Sequence, residues 1–123
     1  EFLGGWAFPA LAAVPGAITD ADIDEFVRTY ARPDGWRGAI GLYQSMLSEG
    51  ESIRALAEHA PLTMPVLAVG AGGGPFTVNT LNQVASGTVE SVQLDGVGHY
   101  VALEAPGSLA GVILDFVTKR DQS

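Results

Sequence analysis

Polar and apolar residues in the first half of the chain alternate with the period of an α-helix. Thr19 can cap a helix whose first turn carries Asp20 and Asp22, where carboxylates meet the positive end of the helix dipole. The apolar residues that follow at helical spacing are Ile23, Phe26, Val27 and Tyr30. The pattern predicts an amphipathic helix that ends before Pro33, because proline disfavours helix at the residue preceding it.

The stretch WRGAIGLYQSML predicts a second helix, with Asp34 placed to cap it. The residues that fall on one face of this helix, at steps of four, three and four, are Trp36, Ile40, Tyr43 and Leu47. The stretch ESIRALAEHAPLT predicts a third, separate helical segment, which Pro61 closes.

Beyond residue 63 the pattern changes. MPVLAVG is a short continuous apolar run, which is typical of a strand buried on both faces of a parallel sheet. FTVNTLNQVASG predicts a helix, and the mixed polarity of TVESVQLDG predicts an edge strand. EAPGSLAGVILDFVTKR predicts a final helix with Lys119 and Arg120 at its negative end. This order of strand, helix, strand and helix indicates an α/β protein with part of a doubly wound, mostly parallel sheet.

Two parallel strands with one crossover helix leave the faces and edges of a sheet with too little cover. The chain also starts at Glu1 rather than at a methionine, directly before an apolar run. We therefore expect these 123 residues to be the C-terminal portion of a larger α/β protein, although the length alone permits independent folding. The alternatives are a self-contained α+β domain and an oligomer that completes its sheet by symmetry.

Acidic residues outnumber basic ones by 14 to 6, which gives a net charge of −8. Lys and Arg form no cluster, so neither nucleic acid nor an anionic membrane is an expected partner. The uncharged residues 2–18 contain Pro9 and Pro15, are slightly short for a membrane span and lack the basic start of a secretory signal. We expect a soluble protein. The absence of cysteine leaves its compartment open, with the cytoplasm slightly favoured.

The stretch DGVGHYVALEAP places His99 after a predicted strand and a Gly-rich turn, directly before a helix. Catalytic groups of open α/β sheets gather beyond the carboxyl ends of the strands, and a histidine there can serve as a general base. A structural histidine that caps the loop fits the spacing equally well.

Two stretches, MPVLAVGAGGG and VQLDGVGHYVALEAPGSLAGVILDFV, resemble the C-terminal third of α/β-hydrolase-fold enzymes, in which a strand, a loop and a Gly-His pair precede the last helix. The stretch YARPDGWRGAIGLYQSML resembles the cap of epoxide hydrolases, where an Arg-Pro-Gly turn leads into a helix that ends in an aromatic-Tyr pair over the active site. The resemblance covers essentially the whole chain. It implies a helical cap segment at residues 1–60 and the C-terminal β-α-β-α part of the α/β-hydrolase core at residues 61–123.

The resemblance also implies site residues. His99 matches the general base of the family, and Tyr43 matches the cap tyrosine that donates a proton as the epoxide ring opens. A phenol keeps its proton at neutral pH and can supply it to the ring oxygen, although an ordinary buried tyrosine is the alternative. Trp36 and Leu47 share the predicted face of Tyr43 and are expected to bind a small lipophilic substrate. Scattered carboxylates and two distant histidines predict no metal site, and we expect no cofactor.

Two parts of the family's machinery have no counterpart in the sequence. The nucleophilic aspartate, which attacks the epoxide carbon to form an ester, lies on an elbow that is missing here, and neither Asp95 nor Asp115 is a convincing substitute. The loop AGGGP lacks the relay acid that many relatives place there, and we expect Glu104 to be a solvated or loop-anchoring carboxylate. The chain is therefore expected to need an N-terminal companion chain or segment that carries the nucleophile and the relay acid.

Other functions remain open at this stage. A haloalkane dehalogenase or a serine esterase has the same histidine element but differs in the nucleophile and in the use of Tyr43. A non-catalytic, hydrolase-like binding module is the alternative from a different class.

Overall fold

The computed structural model describes residues 1–121. A π-helical turn at Phe2–Ala7 runs directly into the first α-helix. The helices are α1 (Phe8–Leu11), α2 (Asp20–Tyr30), α3 (Arg37–His59), α4 (Phe76–Asn82), α5 (Val101–Glu104) and α6 (Pro106–Asp121). The strands are β1 (Val66–Gly70) and β2 (Val89–Gln93).

Helix α2 begins as the sequence predicts. The Thr19 hydroxyl accepts a hydrogen bond from the backbone N–H of Asp22, and the Asp22 carboxylate accepts one from the backbone N–H of Thr19 at 2.9 Å. This reciprocal capping box satisfies two donors at the helix start. The hydrogen bonds from the Thr19 side chain and backbone hold the pKa of Asp22 below its ordinary value.

Two predictions about the next helix are wrong. Residues 37–59 form one continuous helix of 23 residues, not two segments, because Gly50 costs a helix only about 1 kcal/mol and no proline interrupts the run. Asp34 does not cap α3. It lies in the preceding turn with a φ of 59°, and Trp36 stands at the N-cap position without a side-chain cap.

Strands β1 and β2 form a small parallel sheet, with Val66 opposite Val89 and Gly70 opposite Gln93. Helix α4 connects them, as parallel strands require a crossover. An isolated bridge between Leu62 and Ala85 extends the pairing at one end. The predicted α/β class is confirmed at this level, a mixed chain with a small parallel sheet.

The N-terminal segment, defined as residues 2–18, is helical at residues 2–11, although the sequence pattern predicts no individual helix there. Its Phe8 is buried edge-on against Phe26 of α2 and Tyr100, at centroid distances of 5.4 and 4.9 Å. Among residues 1–121, no helix is long and apolar enough to cross a membrane.

Few apolar side chains are buried within the described part of the chain. The buried hydrophobic residues there are Ala7, Phe8 and Ala68. Helix α3, by contrast, exposes a long apolar surface, formed by Ile40, Leu42, Tyr43, Met46, Leu47, Ile53 and Leu56. Exposed apolar areas of this size typically mark a surface that binds another segment, a partner or a ligand.

Candidate active site

A cleft of about 820 Å³ opens between the N-terminal segment, helices α2 and α3, and the residues that follow β2. Aromatic side chains dominate its wall. They are Phe2, Trp6, Phe8, Phe26, Tyr30, Trp36, Tyr43 and Tyr100. The remaining lining residues are Leu3, Ala7, Leu11, Ala39, Ile40, Gln44, Leu47 and His99. No Asp, Glu, Lys or Arg is among them, so the cleft suits an uncharged, apolar ligand.

All four side chains singled out from the sequence, His99, Tyr43, Trp36 and Leu47, lie on this cleft. They come from two distant parts of the chain, α3 with its preceding turn and the loop after β2. Trp36 stacks on Tyr30 with ring centroids 4.3 Å apart. Tyr43 is 71% exposed and Leu47 is 91% exposed, so both face open space above the cleft.

His99 lies on a segment that we name the His loop, residues 94–100. The loop leaves the sheet where the backbone N–H of Leu94 donates to the carbonyl of Gly70 at 2.9 Å, and it turns at Gly96, whose φ of 74° favours glycine. The backbone N–H of His99 donates to the carbonyl of Leu11 at 2.9 Å. The imidazole is exposed and meets the Tyr100 ring edge-on at 5.3 Å. The loop thus presents His99 at the carboxyl end of the sheet, as predicted.

His99 also borders a second, smaller cavity of about 450 Å³. The loop after β1, with Gly72, Gly73 and Gly74, forms much of that wall. The residues lining this cavity include no carboxylate. His99 therefore borders both the aromatic cleft and a space in whose lining this chain supplies no acid.

Glu104 is buried, with 7% of its surface exposed, directly behind the His loop. Its carboxylate accepts backbone N–H bonds from Gly98 at 3.0 Å and Tyr100 at 2.9 Å, and from Ala13 at 2.6 Å and Val14 at 2.9 Å. Burial opposes ionisation, but the four donors together outweigh it and lower the pKa of the carboxyl. Of the two expectations for Glu104, the loop-anchoring carboxylate is the one observed.

Tyr100 is a cleft residue that the sequence reasoning missed. Its hydroxyl donates to the carbonyl of Ala7 at 3.2 Å, so it ties the N-terminal segment to the His loop. Burial first, and then the neighbouring Tyr43 and Glu104, raise the pKa of this phenol. Gln44, a polar residue on the α3 wall, was also missed. Tyr100 directly follows His99 in the sequence and Gln44 directly follows Tyr43, and this adjacency could have indicated that both lie near the site.

Within residues 1–121, no group of three or more His, Cys, Asp or Glu side chains is placed to hold a metal ion. The polar side-chain groups that line the cleft are an imidazole, phenols and an amide on an otherwise apolar surface.

No family model matches the chain. The chain is 26% identical over 114 residues to Epoxide hydrolase A of Mycobacterium tuberculosis (strain ATCC 25618 / H37Rv), a match that covers 89% of this chain and 35% of that protein. The chain resembles an epoxide hydrolase. The resemblance to an epoxide hydrolase expected from the sequence is thus confirmed.

The crystal structure of Cfl2 wild-type from Burkholderia cenocepacia gives a structural match with a TM-score of 0.76 and 34% sequence identity. The match covers 85% of this chain and 36% of the Cfl2 chain. The chain therefore spans about a third of the length of each of these two proteins. The fold seen here occurs within a larger protein in the case of Cfl2.

Proposed function

We propose that this chain is part of an epoxide hydrolase that opens a small lipophilic epoxide to a diol. One observation carries the proposal: an imidazole and a phenol from distant parts of the chain, His99 and Tyr43, line the same uncharged, aromatic cleft. The 26% identity to Epoxide hydrolase A supports the choice of reaction. The cap segment at residues 1–60 and the α/β-hydrolase core at residues 61–123 belong to the same proposal.

The first step is ring opening. A carboxylate oxygen of the nucleophilic aspartate attacks one epoxide carbon, the carbon–oxygen bond of the ring breaks, and an ester forms. The ring oxygen takes a proton as its negative charge develops. Tyr43 supplies that proton from the α3 wall. Trp36 and Leu47 hold the lipophilic part of the substrate beside it.

The second step is hydrolysis of the ester. His99 takes a proton from water, and the water oxygen attacks the ester carbonyl carbon. The bond between that carbon and the diol oxygen breaks, and the diol oxygen takes the proton of the new carboxylic acid, which restores the aspartate as a carboxylate. The proton held by His99 then returns through water to the Tyr43 phenolate, so that both groups are ready for another turnover. The exposed position of His99 at the cleft gives water access to the imidazole.

A companion segment supplies the nucleophile and the relay acid. The chain spans about a third of its relatives, and the exposed apolar face of α3 is a surface that such a segment would cover. The cavity beside Gly72–74 leaves room next to His99 for a carboxylate from elsewhere. Asp95 lies in the His loop and Asp115 is exposed on α6, so neither takes the nucleophile's place.

The test uses the complete protein, this chain together with its companion segment, and a lipophilic epoxide such as an aryl oxirane. His99→Gln should lower turnover at least about 100-fold. It should also trap the ester, so that the intact mass of the protein rises by the mass of one epoxide. His59→Gln is the matched control, because His59 is exposed at the end of α3 and does not line the cleft. Normal turnover in His99→Gln would contradict the proposal.

A further inference from the structure

Glu104 is the charged side chain that is buried within residues 1–121. Burying a carboxylate is unfavourable unless hydrogen bonds replace its hydration. Here four backbone N–H groups replace it. Each hydrogen bond that the structure shows to this carboxylate comes from the backbone. The negative charge is therefore fixed in place by the backbone around it.

The four donors belong to two segments that are far apart in the sequence. Gly98 and Tyr100 stand immediately before and after His99, whereas Ala13 and Val14 belong to the N-terminal segment. The N–H of His99 itself donates to the carbonyl of Leu11. The N–H groups of all three residues 98–100 are thus hydrogen-bonded. Two donate to Glu104, and that of His99 donates to the N-terminal segment, which Glu104 also binds.

Gly98 shows how closely the segments approach. A Cβ at this position would lie 2.5 Å from the backbone N of Ala13, 2.5 Å from the carbonyl oxygen of Leu11 and 2.7 Å from a carboxylate oxygen of Glu104. Two of these neighbours are backbone atoms, which cannot rotate away. We name the contact of residues 98–100 and Glu104 with residues 11–14 the junction. Position 98 of the junction tolerates only glycine without a shift of the backbone.

We propose that Glu104 is a positioning residue for His99, which it aims into the aromatic cleft by holding the backbone on both sides of the imidazole. The proposal rests on the role of general base proposed for His99. Glu104 acts through the backbone and not as the relay acid, because the hydrogen bonds to its carboxylate come from backbone N–H groups and none comes from the His99 imidazole. A general base must stay within hydrogen-bond reach of its water, and a displacement of about 1 Å can cost about 100-fold in rate.

The experiment compares two variants that disturb the junction from opposite sides. Glu104→Gln removes the charge and one acceptor oxygen, and Gly98→Ala forces the two segments apart. Glu51→Gln, at an exposed acid on α3, is the matched control. In the complete protein, both junction variants should lower kcat about 10- to 100-fold with KM changed less than about twofold. The double variant should be no slower than the worse single variant, because both changes break one junction.

Amide hydrogen exchange gives a second readout that does not depend on the reaction. Both junction variants should speed exchange in a peptide covering residues 98–100, while a peptide from β1 keeps its protection. Unchanged exchange around His99 in both variants would overturn the proposal, as would faster exchange with full kcat. If Glu104→Gln does not fold, Glu104→Asp decides by the same two readouts, because it keeps the charge but is too short to reach the same N–H donors. If the unsubstituted protein hydrolyses no epoxide, the proposed function fails, and the exchange data still show whether Glu104 holds the loop.

Discussion

The carbonyl oxygen of Leu11 accepts a hydrogen bond from the backbone N–H of His99 at 2.9 Å. This bond joins the first helical turns of the chain to the loop that leaves the parallel sheet. The Tyr100 hydroxyl, which donates to the Ala7 carbonyl, adds a second link between the same segments. The N-terminal segment is therefore one wall of the cleft and also part of the support for its imidazole.

Replacing Tyr43 by Phe should lower epoxide turnover by about 100-fold or more, because the ring oxygen loses its proton donor. Cleavage of a carboxylic ester by the same protein should change little, because that reaction does not need the phenol. Tyr30→Phe is the control, since Tyr30 lines the same cleft and the substitution also removes one phenol hydroxyl from its wall. The measurement is kcat/KM for both variants on an epoxide and on an ester. Full epoxide turnover by Tyr43→Phe would remove Tyr43 from the mechanism.

Several features that are set by residues close together in the sequence were predicted correctly. The capping box at Thr19, the shared face of Trp36, Tyr43 and Leu47, and the strand that leads to His99 all follow from residues within a few positions of each other. These features could be read directly from the sequence.

The features around the cleft that were missed depend on partners far away in the chain. The helical N-terminal segment is placed by contacts with Phe26 and Tyr100, which its own composition does not reveal. Glu104 looked like either a solvated or an anchoring acid, and only the approach of Ala13 and Val14 decides between them. The role of Gly98 follows from the same approach.

Gly35→Ala should destabilise the protein by about 1 to 3 kcal/mol, the range expected for forcing extra volume into a close-packed site. A Cβ at Gly35 would overlap the carbonyl of Tyr30 and lie 3.0 Å from that of Arg32, so the turn before Trp36 must open. Gly41→Ala is the matched control on α3, where an added Cβ meets nothing within 4 Å. It should stabilise by about 0.5 to 1 kcal/mol, since alanine favours helix over glycine. Urea unfolding measures both changes, and equal effects would contradict the turn geometry.

The free energy of unfolding should fall in acid because of Glu104. The pKa of its carboxyl in the folded protein lies below the ordinary value of 4.5, so the unfolded chain takes up the proton first as pH falls. The stabilisation is complete above about pH 4.5 and is lost as pH falls through the folded pKa. Glu104→Gln should flatten this dependence in urea titrations between about pH 3 and 7.

Glu25→Gln is the contrast for the acid titration. The hydrogen bond from Arg28 also lowers the pKa of Glu25, but both side chains are well exposed. Solvent and salt screen such a pair, so its removal should barely change the acid dependence of unfolding. An acid transition that depends on Glu25 and not on Glu104 would show that the buried carboxylate is not the titrating group.

A substitution at Leu47 should affect substrate binding more than folding. Leu47 lines the cleft, yet 91% of its surface is exposed in this chain. Leu47→Ala should change the free energy of unfolding of the complete protein by less than about 0.5 kcal/mol, as is usual for a side chain on an open surface. In the complete protein it should raise KM for a lipophilic epoxide about 3- to 10-fold, since each buried methylene contributes about 0.8 kcal/mol to binding. Leu114→Ala is the control, because Leu114 is also exposed but lies on α6, away from the cleft. If both variants raise KM equally, the effect comes from general loosening and Leu47 does not touch the substrate.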